Sequence, residues 1–592
     1  MIRKAEELLQ QYFGYSTFRS GQARVIDSLL KGSDTLAIMP TGAGKSLCYQ
    51  IPSMLFAGVT LVISPLIALM KDQVDGMAAS GIPATFINSS LRRVEVSRRL
   101  KLAEQGKFKL VYVAPERLEL PDFEEMAKSL NVSFVAVDEA HCISQWGHDF
   151  RPSYRKIAYF IDGLQQRPVL GAFTATATGE IRDDIINLLG FQAPQVFVSG
   201  FDRQNLFFGV VRGENKKDFV LDYVHNNREK SGIIYAATRR EVDNVFELLQ
   251  EKGYPCRKYH AGMGDQERKE SQEAFIHDEA LVMVATNAFG MGIDKSNVRY
   301  VLHYNMPKNM EAYYQEAGRA GRDGDPGECI ILFGAQDVLL QKFMIEETVY
   351  SPRRKKNEYY KLQKMIDYCH TIRCLRRYIL EYFEEDDLPE KCNRCSNCSD
   401  DYEMNDITVE AQKILSCVVR VKGRYGAGLV AEILKGSKNK KVLQFGFDKL
   451  STYGIMNEYT LQEIKDLINL LTAEGYLSLV GIDYPVVKLG QKAVAVLKGN
   501  EKVWQRRPKK REAPKSDLLF EKLRRLRKTI AEREGVPPYI IFPDSTLNEF
   551  CKWLPPDKDA MLKVKGVGQV KMESFGEEFL QVIREHLFNS NF

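Results

Sequence analysis

The chain has 592 residues, 44% hydrophobic and 27% charged, with 83 Lys or Arg against 78 Asp or Glu for a net charge of +5. At roughly 150 residues per domain there is room for about four domains, and the composition excludes a largely disordered, collagenous or mucin-like chain. The strongest apolar run, Val59 to Met70, holds a proline and is too short to cross a bilayer. The N-terminus lacks the apolar core of a signal peptide, so a cytoplasmic protein is expected, with no membrane partner. Eleven cysteines in a reducing compartment then point to metal rather than to disulfides.

In chain order, short buried-strand runs are predicted at Thr35–Met39, Thr60–Ser64, Leu110–Val113, Phe134–Val137, Gly232–Tyr235, Val282–Ala285 and Tyr300–His303. Each is rich in β-branched residues and is followed by a longer mixed stretch, the pattern of parallel sheets covered by helices. The pattern pauses around Phe197–Phe208 and restarts, which divides it into two α/β lobes. From about Thr348 the character changes. Glu358–Phe383 reads as a helix, with Leu362, Met365, Ile366, Cys369 and Ile372 along one face. Cysteines cluster at Cys392–Cys398. Short helices and a hairpin around Gly481–Pro485 follow, then a charged linker, then a small helical domain. Between Lys502 and Arg533 thirteen basic residues face four acidic ones, an electrostatic footprint that suits nucleic acid or a solvated surface.

The motifs that carry chemistry begin with Met39-Pro-Thr-Gly-Ala-Gly-Lys-Ser46, directly after a strand and opening a helix. Backbone N–H groups of the Gly42–Gly44 turn and of the helix N-terminus can surround phosphate oxygens. Lys45 reaches the β/γ-phosphates, and the Ser46 hydroxyl can ligate Mg²⁺. The general pattern wants glycine at the first position, where this chain has Met39; Met39, Pro40, Thr41 and Ala43 are counted with the nucleotide-binding residues. Phe134-Val-Ala-Val-Asp-Glu-Ala-His141 is an apolar strand ending in two carboxylates. Asp138 can complete the Mg²⁺ shell and Glu139 can orient or deprotonate water. Neighbouring strand ends of one sheet would bring the two motifs to the same edge. Gln315-Glu-Ala-Gly-Arg-Ala-Gly-Arg322 supplies Arg319 and Arg322, three residues apart on one side of a helix turn. Arginines from a second lobe could offset charge on the γ-phosphate when the lobes close.

Taken in order, these motifs with Thr174-Ala-Thr-Ala177 resemble a superfamily 2 helicase. More narrowly, Asp138-Glu-Ala-His-Cys-Ile-Ser-Gln-Trp-Gly-His-Asp-Phe-Arg-Pro152 closely resembles the RecQ DNA helicases, and the resemblance runs along almost the whole chain. It implies two RecA-like parallel-sheet lobes at 1–203 and 204–347, a helical zinc-binding subdomain at 348–405, and an α+β winged-helix domain at 406–500. A basic linker at 501–516 and an all-α HRDC domain at 517–592 complete it. Among these, Phe447-Asp-Lys-Leu-Ser-Thr-Tyr-Gly454 carries the winged-helix match, and Val536–Phe542 with Gly566–Gly568 the HRDC match.

The resemblance also implies roles. Phe18, Arg19 and Gln22 match an adenine-recognition segment, and an amide such as that of Gln22 can pair with both edges of adenine. His141 and Gln315 join the catalytic set. Ser64 and Lys71 lie in a segment that holds the single strand, and Thr174 in one that relays the ATP state to the DNA channel. In the second lobe, Val284–Asp294 matches a segment touching both nucleotide and strand. In the loop after the carboxylates, Trp146, His148, Phe150 and Arg151 can stack on bases or meet phosphates, at roughly 1–3 kcal/mol per stacked base, unless Trp146 and Phe150 are core residues. Cys374, Cys392, Cys395 and Cys398 suit tetrahedral Zn²⁺. Cys369 competes with Cys374 but shares the apolar stripe of Met365 and Ile366. Tyr539, Lys522, Arg524, Arg525, Arg527 and Lys528 could bind single-stranded DNA, or the basic ones could form a solvated face. The expected activity is ATP-dependent, 3′-to-5′ unwinding of DNA in recombination, replication-fork maintenance and repair. The expected cofactors are ATP, Mg²⁺ and Zn²⁺. The expected partners are single-stranded and branched DNA, a single-strand-binding protein and a type IA topoisomerase, with the chain a nucleoid-associated monomer. An RNA helicase and an annealing protein with a vestigial ATPase are the rival readings.

Overall fold

The computed structural model describes residues 1–589 except 66, 148–149, 213, 291–294, 387, 400–401, 481–485, 509–517 and 565. The first lobe carries β1 (Thr35–Ile38), β2 (Val59–Ile63), β3 (Ala84–Ile87), β4 (Leu110–Val113), β5 (Val132–Val137), β6 (Val169–Thr174) and β7 (Gln195–Val198). They form one sheet in the order β3-β4-β2-β5-β6-β1-β7, and every pair is parallel. The second lobe carries β8 (Leu206–Arg212), β9 (Gly232–Tyr235), β10 (Cys256–Tyr259), β11 (Val282–Ala285), β12 (Tyr300–His303) and β13 (Gly327–Phe333). Their order is β10-β11-β9-β12-β13-β8, again all parallel. Parallel strands need crossovers, and helices on both faces bury them completely, so β1, β2 and β4 read as unbroken apolar runs.

All seven sequence-predicted strands are present, and the pause at Phe197–Phe208 proves to hold parts of two more. There β7 closes the first sheet against β1, and β8 closes the second against β13. The strands ending in the phosphate loop and in Asp138 are not immediate neighbours, because β6 lies between β1 and β5. Their ends nevertheless share one edge, with Thr174, the last residue of β6, between them.

The helix expected over Glu358–Phe383 is two helices, Pro352–His370 and Leu375–Tyr382. The chain breaks at Thr371, whose hydroxyl donates to Glu474 Oε1 at 2.8 Å, and the Ile372 N–H donates to the same oxygen at 2.9 Å. Farther along, a helical domain packs around Ile414, Leu434, Ile464 and Ile468. Its strands Leu477–Val480 and Val486–Leu489 pair antiparallel, so a hairpin is formed as the sequence suggests, while its tip at Gly481–Pro485 lies outside the described residues. Part of the expected linker is a strand: Trp504–Pro508 runs antiparallel to Tyr402–Asp406 and ties the end of this domain to its beginning. The last helices pack on Leu523, Phe542, Phe550 and Phe579. Among the described residues no helix is long and apolar enough to cross a membrane.

Candidate active site

The phosphate loop turns through Gly42 and Gly44, with φ of 84° and 78°, a region open to glycine but costly for residues bearing a Cβ. Gly44 then precedes the helix Lys45–Leu55, so free N–H groups of its first turn face the loop. The Lys45 ammonium donates to the Met39 carbonyl at 3.2 Å. Burial pulls its pKa below the ordinary lysine value, while Glu139 and Asp138 oppose the shift. Arg322 is a further charged neighbour. Asp138, at the end of β5, is itself buried, and burial with the adjacent Glu139 carboxylate pushes its pKa up to about 7. The Tyr49 hydroxyl, buried, lies close to both Ser46 and Asp138. Two carboxylates and a hydroxyl crowded together in this way suit a divalent cation, which would favour their charged form.

Glu139 adopts a left-handed conformation at φ 46°, which turns the chain sharply out of the strand. His141 Nδ1 lies 2.9 Å from Thr174 Oγ1 and 3.4 Å from Glu139 Oε2. Burial first, then Lys45, Arg151 and Lys361, push the His141 pKa down to about 3, so the ring is neutral at pH 7. One ring nitrogen, Nδ1, thus lies between the carboxylate of one strand end and the hydroxyl of the next, hydrogen-bonded to the hydroxyl. Thr174 Oγ1 in turn donates to the Thr176 carbonyl at 3.1 Å.

The structure finds the Gln22 amide occupied by the phosphate loop. Its Nε2 donates to the carbonyls of Ala43 and Gly44 at 3.0 and 3.1 Å, and its Oε1 accepts from the Arg19 N–H at 2.8 Å. Arg19 also donates to the Gly42 carbonyl. Pairing of this amide with adenine requires an exchange of these bonds. Phe18 packs, half-buried, beside the small cluster formed by Ala5, Leu9, Ile26, Leu30 and Ile51.

Across the cleft, the two arginines do not share a helix face. The helix Met310–Ala317 carries Gln315 and ends before Gly318, so Arg319 and Arg322 lie in the turn that follows. Arg319 is buried within its own lobe, beside Gly290 and Tyr235. Arg322 lies toward Lys45. The lobes are in direct contact here: a Cβ built on Gly318 would sit 3.0 Å from Thr41 Cβ, so glycine permits the approach.

A second surface extends from the same edge. Arg151 donates to the Pro65 carbonyl at 2.9 Å, which ties the loop after Asp138 to the segment of Ser64. Trp146 packs half-buried with the Arg353 guanidinium over its ring, 4.7 Å from the centroid, and its carbonyl accepts from Lys361 at 2.9 Å. The Arg155 guanidinium lies 5.2 Å from the Phe150 ring centroid. Ser64 is buried, whereas Lys71 is exposed and pairs with Asp75 at 3.7 Å. His148 and residues 291–294 lie outside the described residues.

Tyr539 is elsewhere. It lies against the second lobe, its ring centroid 5.8 Å from the Lys295 ammonium. The same contact includes Arg299 with Asp544 at 3.6 Å and Asn548 with Asp325 at 2.8 Å. Arg527 departs from both sequence readings: it is fully buried, donating to the Phe542 carbonyl at 2.8 Å and pairing with Asp544 at 2.7 Å. A residue so placed holds its domain together.

The thiols of Cys374, Cys392, Cys395 and Cys398 lie within 4.8 Å of one another, with 4.0 Å between Cys374 and Cys395. Tetrahedral zinc with Zn–S near 2.3 Å sets sulfurs about 3.8 Å apart, so four thiolates here fit the ion with little movement. Cys374 begins the helix Leu375–Tyr382 and its sulfur accepts from the Arg377 N–H, whereas Cys369 is buried in the core.

The fold and this site define a two-lobed phosphate-loop protein whose candidate nucleotide site lies where the lobes meet. The comparisons narrow the class. Residues 19–184 match the DEAD/DEAH box helicase family and 215–324 the helicase conserved C-terminal domain. Residues 335–399 match the RecQ zinc-binding family, 401–514 the RQC domain and 516–583 the HRDC domain. The chain is 48% identical over 588 residues to the ATP-dependent DNA helicase RecQ of Bacillus subtilis, covering 99% of each. It is 40% identical over 596 residues to the protein of that name from Pasteurella multocida, covering 98% of this chain and 94% of the other. It also matches the RecQ-like DNA helicase BLM of Xenopus laevis, 33% identical over 98% of this chain and 46% of that one. The chain belongs to the RecQ family of ATP-dependent DNA helicases. It is an enzyme that uses ATP, acts on DNA and carries a zinc-binding region.

Proposed function

We propose that the enzyme moves 3′ to 5′ along single-stranded DNA and unwinds duplexes ahead of it, serving recombination, replication-fork maintenance and repair. The observation that carries this reading is the continuous edge running from the phosphate loop and Asp138 to Trp146, Phe150 and Arg151, so that nucleotide and strand are sensed by one loop. The polarity rests on the likeness of the motif set to the family.

In this reading ATP lies on the phosphate loop, with Lys45 toward its β/γ-phosphates. Ser46 and Asp138 would hold Mg²⁺, which when bound neutralises charge on the phosphate oxygens. Glu139 orients the attacking water and takes its proton, while neutral His141 keeps Glu139 aligned with Thr174. Arg322, and Arg319 after reorientation, meet the charge that spreads over the γ-phosphoryl oxygens. DNA pressing on Trp146 moves a loop that begins at Glu139, which explains how strand binding would accelerate hydrolysis. Zinc on the four cysteines stabilises the fold around Leu375–Tyr382 and takes no part in the ATP chemistry. A single-strand-binding protein and a type IA topoisomerase are the proposed partners, and the chain works as a monomer in the cytoplasm, on the nucleoid.

Partial duplexes with a 3′ or a 5′ single-stranded tail test the proposal. Opening of the 3′-tailed substrate alone supports it. Opening of the 5′-tailed substrate refutes the polarity, and DNA-stimulated ATP turnover with neither duplex opened leaves a translocase or annealing protein.

A further inference from the structure

One side chain that the sequence motifs pass over touches both lobes at the nucleotide site. Arg203 lies in the connector, residues 199–205, between β7 and β8. Its Nη1 donates to the Thr41 carbonyl at 2.7 Å and to Gly318 at 3.0 Å. Its Nη2 donates to Ala320 at 2.9 Å and Gly321 at 2.6 Å, and its Nε to Asn205 Oδ1 at 3.4 Å. A guanidinium has five N–H donors in a fixed plane, and all five are used. One of the accepting carbonyls is in the phosphate loop, and three are in the short turn that carries Arg319 and Arg322. A Cβ on Gly42 would lie 3.0 Å from Nη1, so the guanidinium rests directly on the loop.

The connector is itself held from a third side. Arg376, buried, donates to Asp202 Oδ1 at 2.5 Å, to the Arg203 carbonyl at 2.7 Å and to the Leu206 carbonyl. It stands two residues after Cys374 on the helix that this cysteine begins. Phe201 stacks on Phe383 with ring centroids 4.6 Å apart, and the Tyr314 hydroxyl donates to the Phe201 carbonyl at 2.6 Å. The connector therefore cannot shift without disturbing the zinc-binding subdomain. The charged groups facing Arg203 include Arg322 and Arg19, of like sign, so carbonyl dipoles supply much of its compensation. A phosphate arriving on the loop would relieve that shortage.

We propose that Arg203 is a positioning residue for ATP hydrolysis: it sets the spacing between the phosphate loop and the Arg319–Arg322 turn, and Arg376 holds it in register. The inference rests on the reading that ATP is hydrolysed at this site. Lysine would keep the charge but not the planar fork that reaches both lobes.

The test measures DNA-stimulated ATP turnover of Arg203→Ala, Arg203→Lys, Arg322→Ala, the double variant Arg203→Ala/Arg322→Ala and Arg376→Ala, with affinity for a fluorescent ADP and zinc content alongside. The expected result is a fall in kcat of about tenfold or more in both Arg203 variants, with ADP affinity within about threefold of the parent. In the Arg322→Ala background, loss of Arg203 should cost no more than about threefold further, because Arg322 is the arginine that the spacing brings toward Lys45. Arg376→Ala should lower kcat by a smaller factor while keeping one zinc per chain. A parental rate in Arg203→Lys, or losses that multiply in the double variant, overturns the proposal. Should Arg203→Ala fail to fold, Arg203→Lys decides alone. An inactive parent, or a Lys45→Ala variant with parental turnover, would instead refute the site assignment on which the inference stands.

Discussion

Lys361 offers the sharpest test of how the parts of this enzyme are joined. It extends from the helix Pro352–His370, pairs with Glu311 of the second lobe at 2.7 Å, and donates to the Trp146 carbonyl of the first at 2.9 Å. Both members of the ion pair are buried, Lys361 at 7% and Glu311 at 1% exposure. Removing one partner of a buried pair leaves an uncompensated charge and costs about 3–5 kcal/mol, far above the roughly 0–1 kcal/mol of a surface pair. For a urea dependence of about 2–3 kcal/mol per molar, Lys361→Met should lower the midpoint of the transition involving this joint by about 1–2 M. Lys361→Met/Glu311→Gln should recover at least half of the loss, since neither charge is then left alone. The assay is urea unfolding followed by fluorescence and circular dichroism, with the parent and both single variants. A shift below about 0.3 M in Lys361→Met, or a double variant with the sum of the two single losses, would refute the argument that this pair is buried and mutually dependent.

Lys45→Ala should abolish ATP turnover while DNA binding, followed by fluorescence anisotropy, stays largely intact; substantial residual turnover contradicts the role assigned to the ammonium. Trp146→Ala should reduce DNA stimulation of the ATPase more than basal turnover, and an equal fall in both speaks against a sensing loop. Cys374→Ser should lose the bound zinc by metal analysis, whereas Cys369→Ser should keep it; the reverse pattern removes Cys374 from the site. Burial pushes the Lys571 pKa down to about 8 from its ordinary 10.5. The unfolded chain therefore binds more protons between pH 8 and 10.5, and stability should rise with pH across that window. Lys571→Met should remove that rise, worth at most about 3 kcal/mol, and identical pH slopes in parent and variant would exclude it.

What the sequence disclosed follows from where each segment sits. The interior strands β1, β2, β4, β5, β9, β11 and β12 are apolar because both faces are covered, and their runs are visible without any structure. Four strands that escaped notice, β3, β7, β8 and β10, are the four edges of the two sheets. An edge is covered on fewer sides, so Gln195 and Val196 in β7 and Arg257 in β10 are exposed and the apolar signal is diluted. Central β6 is interrupted by Gly171, where Phe134 and Phe173 rings fill the space of a side chain, and β13 opens on Gly327 and Glu328.

The site divides in the same way. Asp138, Lys45 and the four cysteines announce themselves because their chemistry demands a residue type at a spacing. Arg203 and Arg376 do not, since they act by reaching backbone carbonyls distant in sequence. The directions of Arg319 and Arg322 were hidden for a related reason: the helix stops at Gly318, which no spacing rule for a continued helix anticipates. The burial of Arg527 likewise needs the partner Asp544, seventeen residues later in the chain.

The connector leaves the first sheet beside the phosphate loop, for the Ser199 N–H donates to the Ile38 carbonyl at 2.9 Å, one residue before Met39. Were the two lobes to turn as rigid bodies about that strip, the proposed nucleotide site would lie beside the axle. Travel in a rotation grows with distance from the axis, and force falls in the same proportion. On the proposed function, a small closure around the phosphates would become a longer, gentler stroke at the far ends of the lobes.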